Sequence, residues 1–553
     1  MKNILKDTWT VLERKERKQF IVLSLLDIFI SVVDILSLAL LLWIIKFYIQ
    51  PTQTNLGLLP AWLRKQDSIS FIMIFFFLFA IKNISAFFIA KAQYRFIGSI
   101  AVRISRNNLW NYQHGSFEDF VNVDSSVYIR KISLQPFEFC QFILAGIQQI
   151  ITQSFLILLT IIAIVLFNAK LFLLLLVILL PPVILVFYFI KKRLNIAKMN
   201  IRSSNERSYQ HLLDALKGYV EANVYDRNDF FMQRFLAERR KFSRHLFDSL
   251  ALQNMPSRVI EIFAVLGLFI LIAIAKWSGN NDSSSLITVG AFMAAAYKII
   301  PGLVKLINVT GQIKTYEYSI TDVMQNNIPG GTNASRPFPS INSIQFRNVS
   351  FSYKELPVLN HLNFSIEKGD FLGISGESGK GKTTILNLLL GFLTPADGEV
   401  FINDLNAGAK ITREYWPSIS YVRQQSFFIH DTAIRNITLE EETSNKRQLE
   451  SSMNVSGVET MMERFPEGIH KMITENGKNI SGGQQQRIAL ARALYKDADL
   501  FLLDEPFNEL DEASANTLLK HFRELSKNGK IVIMITHDKQ SLAYCNKIIS
   551  LDE

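Results

Sequence analysis

Cysteine is nearly absent. Cys140 and Cys545 are the two in 553 residues, far apart in the chain, too few for a disulfide framework or a thiolate metal site. Charge is scarce too: Asp, Glu, Lys and Arg make up 20% of the chain against 49% hydrophobic residues, with 42 phenylalanines. That balance excludes a disordered chain and is too apolar for an ordinary soluble enzyme. Acidic side chains are the scarcer sign, 49 against 59 basic ones, which leaves a formal charge of +10. Such an excess suits nucleic acid or a lipid surface, and the placement of Lys and Arg must decide between them. Length excludes a single small fold.

A hydrocarbon core about 30 Å thick takes roughly 20 apolar residues of helix to cross. Six runs reach that scale, at approximately residues 20–49, 69–90, 142–167, 171–190, 259–277 and 285–307. The first is not a signal peptide: mostly polar residues precede it, it is too long for such a segment, and no small-residue cleavage pattern follows. The third and fourth are separated only by Asn168, Ala169 and Lys170, a tight hairpin, and Pro181 with Pro182 predicts a kink in the fourth. With the N-terminus on the cytoplasmic side, the inner segments 1–19, 91–137 and 191–258 carry 26 Lys and Arg against 3 on the outer segments. This asymmetry sets the orientation. It also puts the positive charge beside anionic headgroups, which argues for membrane lipids and against nucleic acid as the partner.

The segments 91–137 and 191–258 are too long for simple connections and read as helical extensions into the cytoplasm, with less regular tips at 111–123 and 212–227. Asp27, Asp34 and Lys298 are ionisable residues inside otherwise apolar helices. Asp27 and Asp34 lie two turns apart on one face. Intramembrane carboxylates face a water-filled cavity, where they meet substrate, or serve helix packing and headgroups; both readings stand at this point. Pro301 and Gly302 bend the sixth helix or form a packing surface.

Around residues 326–340 the composition shifts to Asn, Gly, Pro and Ser, a linker. The expected organisation is therefore a membrane domain over 1–325, the linker, and a soluble domain over 341–553. Strands at 341–353, 371–374, 500–503 and 531–535 alternate with helices, which predicts an α/β sheet at least partly parallel. The strand Phe371-Leu372-Gly373-Ile374 runs into Gly376-Glu377-Ser378-Gly379-Lys380-Gly381-Lys382-Thr383-Thr384, a G-x-x-x-x-G-K-T phosphate loop. Glycines let backbone amides wrap phosphates, Lys382 neutralises β and γ oxygens, and Thr383 offers a ligand to Mg²⁺. ATP and Mg²⁺ are the expected ligands. In LFLLDEP, Asp504 ends a buried strand where it can hold Mg²⁺ through water, and Glu505 beside it can deprotonate the attacking water. The segment Ser481-Gly482-Gly483-Gln484 opens an Ala- and Leu-rich helix and makes a second anion-binding terminus. One γ-phosphate does not need two such cradles in one fold. Two chains facing each other do.

Taken together these motifs resemble those of an ABC exporter half-transporter: six membrane helices followed by one nucleotide-binding domain, with ISGGQQQR similar to the family's signature. The expected fold class is thus an all-α six-helix transmembrane domain plus an α/β P-loop ATPase domain. The resemblance implies that Tyr353 stacks on adenine, that Gln424 senses Mg²⁺, and that Glu475 with Gly477 forms a coupling loop. It further implies that Asp511 crosses the dimer, that His537 touches γ-phosphate, and that 111–123 and 212–227 are coupling helices. Taken singly, Tyr353 reads equally as a strand aromatic, Gln424 as a surface amide and His537 as a strand-end cap. Two departures stand out: Asn508-Glu509-Leu510-Asp511 replaces the usual SALD, which puts Glu509 near the dimer interface, and Arg423 replaces a frequent Pro. The implied activity is ATP-driven export or flipping of a hydrophobic or amphipathic substrate across the cytoplasmic membrane by a homodimer. A lipid or lipid-linked oligosaccharide flippase and a peptide or drug exporter are the alternatives, with an ATP-gated channel or regulatory subunit behind them.

Overall fold

The computed structural model describes residues 2–49, 70–277 apart from 116, 202 and most of 168–199, then 283–326 and 339–552 apart from 355. The expected hairpin at 168–170, most of the fourth apolar run, the outer segment 50–68, the side chain of Lys298 and most of the linker lie outside the described residues. The chain divides into two compact units, Met1–Gly115 with Phe120–Gly331, and Ser116–Asp119 with Thr332–Glu553.

The first unit is helical: α1 Lys2–Val11, α2 Arg14–Ile49, α3 Ser70–Gln113, α4 Phe117–Asn122 (whose first three residues fall in the second unit), α5 over 125–167, α6 Tyr219–Val224, α7 Asn228–Trp277, α8 Ser283–Tyr316 and α9 Tyr318–Asn326. Among the described residues, Arg14–Leu41, Ile72–Gln113 and Ser125–Leu166 are long and apolar enough to cross a membrane. The 50 residues of α7 make a rod about 75 Å long, more than twice a bilayer core. Such helices must run on beyond the lipid, as expected of the inner segments, and the six-residue helices α4 and α6 fall within the tips at 111–123 and 212–227. In α5 the turns Arg130–Leu134 and Phe139–Leu144 are π-helical. Their wider i to i+5 register keeps Arg130, Gln135 and Cys140, five residues apart and all buried, on one face. The apolar core gathers Phe139, Ile143 and Leu144 with Ile100 and Ile104 of α3, Ile313 of α8 and Val323 of α9.

The intramembrane acids have protein partners. Asp34 of α2 accepts from Lys82 of α3 at 2.6 Å, and Asp27 accepts from the Thr152 hydroxyl of α5 at 2.7 Å. Lys82 is 8% exposed and also lies 4.4 Å from the Phe79 ring centre. Each carboxylate thus meets a side chain of a neighbouring helix. Helix α8 continues through Pro301, and Gly302 permits close approach to α5: a Cβ there would lie 3.1 Å from Ile157.

The second unit has two large sheets among the described residues. Antiparallel strands β1 Ser343–Tyr353, β2 Leu356–Glu367, β4 Asp397–Ile402 and β5 Leu405–Asn406 form one, in the order β2-β1-β4-β5. The other is wholly parallel, ordered β11-β3-β10-β9-β6, from β3 Phe371–Ser375, β6 Ile419–Val422, β9 Leu500–Asp504, β10 Ile531–Ile535 and β11 Lys547–Ser550. A short ribbon pairs β7 Asp431–Thr432 with β8 Met472–Ile473. Strands β9 and β10 are buried along their whole length, which explains their unbroken apolar sequence. Helix α10 Lys382–Leu389 packs Ile385, Leu386 and Leu389 on one sheet face. Helices α11 Gly482–Tyr495 and α12 Glu512–Lys527 cover the other with Leu490, Leu494, Leu518 and Phe522.

Candidate nucleotide site

A ligand in an open parallel sheet lies beyond the carboxyl ends of the strands. Here four neighbouring strands, β3, β10, β9 and β6, end respectively in Gly376, Thr536 with His537, Asp504 with Glu505, and Arg423 with Gln424. Residues more than a hundred positions apart are thereby set side by side at strand spacings of about 4.8 Å.

The phosphate loop needs backbone that only glycine adopts readily: φ is +147° at Gly376, +87° at Gly379 and +91° at Gly381. A Cβ on Gly381 would lie 2.7 Å from Val358, whereas one on Gly379 would meet nothing within 4 Å, the open side that a phosphate approaches. The Lys382 ammonium is buried and donates to the carbonyl oxygens of Gly376 and Glu377 at 2.6 and 2.8 Å. Ser378 lies on the loop; Thr383 and the buried Thr384 lie in the first turn of α10.

Asp504 is 5% exposed and accepts from the Thr383 hydroxyl at 3.3 Å. Burial, with the neighbouring Glu505 charge, pushes its carboxyl up to about 6. Among the described residues no cluster of three His, Cys, Asp or Glu side chains could hold a metal. Two hard oxygen donors with excess negative charge nonetheless fit Mg²⁺, which takes one or two protein ligands and completes its shell with phosphate oxygens and water. A carboxyl raised in the folded state favours folding while protonated, and that contribution is lost as pH rises through about 6. Asp504→Asn is therefore expected to stabilise the nucleotide-free protein at pH 7.5 by about 2 kcal/mol and to leave it unchanged near pH 4. Denaturant unfolding at the two pH values tests this; equal effects at both would refute it.

Glu505 has φ +50°, a left-handed backbone unusual outside glycine. Its amide donates to Ile535 O at 3.0 Å, and its carbonyl accepts from Gln486 Nε2 at 3.0 Å. These two bonds hold a conformation that brings the carboxylate among three side chains. Oε2 accepts from Gln424 Nε2 and Asn508 Nδ2, both at 2.8 Å, and Oε1 lies 3.3 Å from His537 Nε2. Of the three side chains expected to be catalytic, Gln424 and His537 thus converge on the carboxylate of the third, Glu505.

The second cradle is built separately. Ser481 caps α11: its hydroxyl accepts from the Gln484 amide at 3.4 Å while Gln484 Oε1 accepts from the Ser481 amide at 3.0 Å, a capping box. Gly482 and Gly483 lie against Glu509, whose carboxylate and carbonyl oxygens would be 2.9 and 2.7 Å from a Cβ on each. Glu509 therefore sits over the signature helix of its own chain. The turn Glu475–Gly477 is tied to that helix by Gln485 Nε2, which donates to Gly477 O at 3.0 Å. Asp511 caps α12, accepting from the Ser514 amide and hydroxyl at 2.9 and 2.7 Å and from Arg487 at 3.0 Å. The Ser514 bonds above all hold its carboxyl below the usual range. Among the described residues, hydrogen bonds from 481–487 to other segments run to Gly477, Ile480, Ser456, Asp511, Ser514 and the segment 505–509, none to the phosphate loop. Tyr353, at the end of β1 and 48% exposed, packs edge-on against Phe351 at 4.9 Å.

Two residues that sequence reasoning passed over complete the site. Gln486 joins both halves, donating to Glu505 O and accepting from the Glu509 amide at 2.8 Å, and Asn508 holds the Glu505 carboxylate. A run of three glutamines in a helix that otherwise reads as apolar was the available signal for Gln486. Gln486→Ala is expected to lower kcat for ATP roughly tenfold with KM changed less than about twofold, since it orients Glu505 and touches no substrate atom. A change confined to KM would remove it from this role.

Residues 359–508 match the family model described as ABC transporter. An export ATP-binding/permease protein of Rickettsia bellii is 37% identical over 221 residues, 39% of this chain and 38% of that protein. An ATP-dependent lipid A-core flippase of Alkalilimnicola ehrlichii is 28% identical over 368 residues, 65% of this chain and 62% of that protein. The chain thus matches these two relatives over less than two thirds of their own length. In fold, it is similar to a bacterial Atm1-family ABC exporter with ATP bound, at TM-score 0.77 and 17% identity, covering 98% of this chain and 93% of that one. The chain has the fold of that exporter, a helical unit with helices long and apolar enough to cross a membrane followed by an α/β unit that carries the ABC transporter match.

Proposed function

We propose that two copies of this chain form an ATP-driven exporter or flippase of the cytoplasmic membrane, with the N-terminus and nucleotide-binding unit in the cytoplasm. The observation that carries the reading is the convergence of Gln424, Asn508 and His537 on Glu505, beside the phosphate loop and apart from the Ser481 cradle. The amides of Gly376 to Thr384 and the Lys382 ammonium bind the ATP phosphates, and Tyr353 offers its exposed ring to adenine. Thr383, Asp504 and Gln424 would hold Mg²⁺, which would supply positive charge to the phosphates when bound. Glu505 takes the proton of the attacking water while His537 and Gln424 hold its two oxygens. Ser481 to Gln484 of the second copy close over the same γ-phosphate, and Asp511 stands at that seam.

Intact motifs in one chain support a homodimer with two competent sites over a pair with a degenerate partner. A helix tip with Tyr219, Val220, Val224 and Tyr225 each more than 60% exposed supports a further protein surface in the assembly. ATP turns the cavity outward only so far as it binds the closed arrangement more tightly than the open one.

For cargo, the two carboxylates that would attract a cationic drug already have partners: Asp34 with Lys82 and Asp27 with Thr152. Basic inner segments and a relative named as a lipid A-core flippase support an amphipathic, anionic lipid-like substrate. Proteoliposomes carrying headgroup-labelled lipids test this: ATP-dependent transfer of anionic lipid between leaflets is expected, and transfer of cationic dyes but no lipid would overturn it.

A further inference from the structure

The segment Asn508-Glu509-Leu510-Asp511 carries an acid, Glu509, that the proposed ATP chemistry does not use. Its backbone is held against the start of α11. The Glu509 amide donates to Gln486 Oε1 at 2.8 Å, and its carbonyl oxygen would lie 2.7 Å from a Cβ on Gly483. On its other side Asn508 is tied to the Glu505 carboxylate at 2.8 Å. From this fixed point the side chain turns onto the first residue of the helix, where Oε2 would lie 2.9 Å from a Cβ on Gly482. Glycine at 482 leaves room for the acid; any side chain there would collide with it.

Neither side of this approach has another hydrogen-bond partner. A helix start leaves four amides without partners in the helix. Ser481 takes the one of Gln484, whereas the amides of Gly482 and Gly483 donate to nothing among the described residues. The Glu509 carboxylate likewise accepts no hydrogen bond and meets no cation among the described residues. Arg487, in the second turn of α11, is engaged by Ser456, Asp511 and Ser514 instead. What favours the acid over Gly482 is therefore the open amides and the positive end of the helix. The same attraction would hold a phosphate at this cradle, and one helix start has room for one anion.

We propose that Glu509 competes with the γ-phosphate of the partner copy's ATP for the Ser481 to Gln484 cradle of its own chain, and so sets the ATP concentration at which two copies clasp. The inference rests on the two-chain reading of the site and adds a regulating residue to it. Without nucleotide the carboxylate covers Gly482. On clasping it gives way to the γ-phosphate, which brings more charge and more acceptor oxygens to the same amides.

The test uses full-length protein in nanodiscs with Glu505→Gln in every sample, so that hydrolysis does not consume the clasped form. Crosslinking between a cysteine near Ser481 of one copy and one near Ser378 of the other is followed across an ATP titration. Adding Glu509→Gln is expected to lower the ATP concentration for half-maximal crosslinking about fivefold, the scale of one charge at a helix start. Glu509→Ala is expected to do the same. Glutamine keeps the size and loses the charge, so a shift with alanine alone would make the role steric and overturn the proposal. With Glu505 intact, Glu509→Gln is expected to lower KM for ATP by a similar factor with kcat changed less than about twofold; a fall in kcat at unchanged KM would also overturn it. Crosslinking at the same ATP concentration with and without Glu509→Gln removes the role of Glu509 and leaves the two-chain site standing. Crosslinking absent from every sample at saturating ATP removes both.

Discussion

Glu505→Gln is expected to lower ATP turnover by a factor of about 10² to 10⁴, the range for loss of a positioned general base, while ATP binding persists. Glutamine keeps the shape and an acceptor oxygen for Gln424 and Asn508, which now bond Glu505 Oε2 at 2.8 Å. It cannot take the proton. With binding intact and hydrolysis blocked, nucleotide accumulates in the clasped arrangement, so the variant is expected to elute as a stable ATP-dependent dimer of the ATPase units. Two readouts check it: phosphate release, and crosslinking between a cysteine near Ser481 of one copy and one near Ser378 of the other. Near-normal turnover would remove Glu505 from the chemistry. Lost turnover without ATP-dependent crosslinking would leave the base in place and overturn the two-chain site.

The second large effect lies in the membrane-crossing helices. Asp34→Leu takes away the carboxylate 2.6 Å from Lys82 and leaves that nearly buried ammonium the Phe79 ring. The expected loss is on the order of 3 kcal/mol, the scale for one partner of a buried pair or for an unmatched charge within a bilayer. Replacing both, Asp34→Leu with Lys82→Met, is expected to recover most of it, because a buried ion pair gains little over an apolar pair of similar size. Reversible unfolding in mixed micelles measures both. If Asp34 instead served as a substrate-binding residue, the double variant would be stable but lose substrate-stimulated ATPase. Recovery of stability together with stimulation assigns the pair to packing.

Much of this molecule was legible before its structure. The phosphate loop, the LFLLDEP strand and the Ser481 helix start are local signals, because each places amides or a carboxylate through neighbours in sequence alone. Long apolar runs marked the helices for the same reason, and α3 and α7 continue beyond those runs into the segments whose length already read as helical. Less was legible where two distant segments meet. Asn508 and Gln486 carry no motif of their own, and their bonds to Glu505 exist only because β9 and α11 pack together. Asp27 and Asp34 carry no sign in the sequence of their partners, since Thr152 and Lys82 reach them only through the packing of α2 against α5 and α3.

Which chemistry is present follows from local sequence: glycines at the phosphate loop, a carboxylate pair at the end of an apolar strand, and helices too apolar for water. Those follow from backbone sterics and transfer free energies that act over a few residues. Tertiary structure alone decided the neighbours. The strand order β3-β10-β9-β6 aligned four chain-distant strand ends into one site, and the close approach of α2, α3 and α5 matched each buried charge or hydroxyl to its partner. Sheet order and helix packing are set by burial summed over the whole core, a quantity that no single stretch of sequence contains.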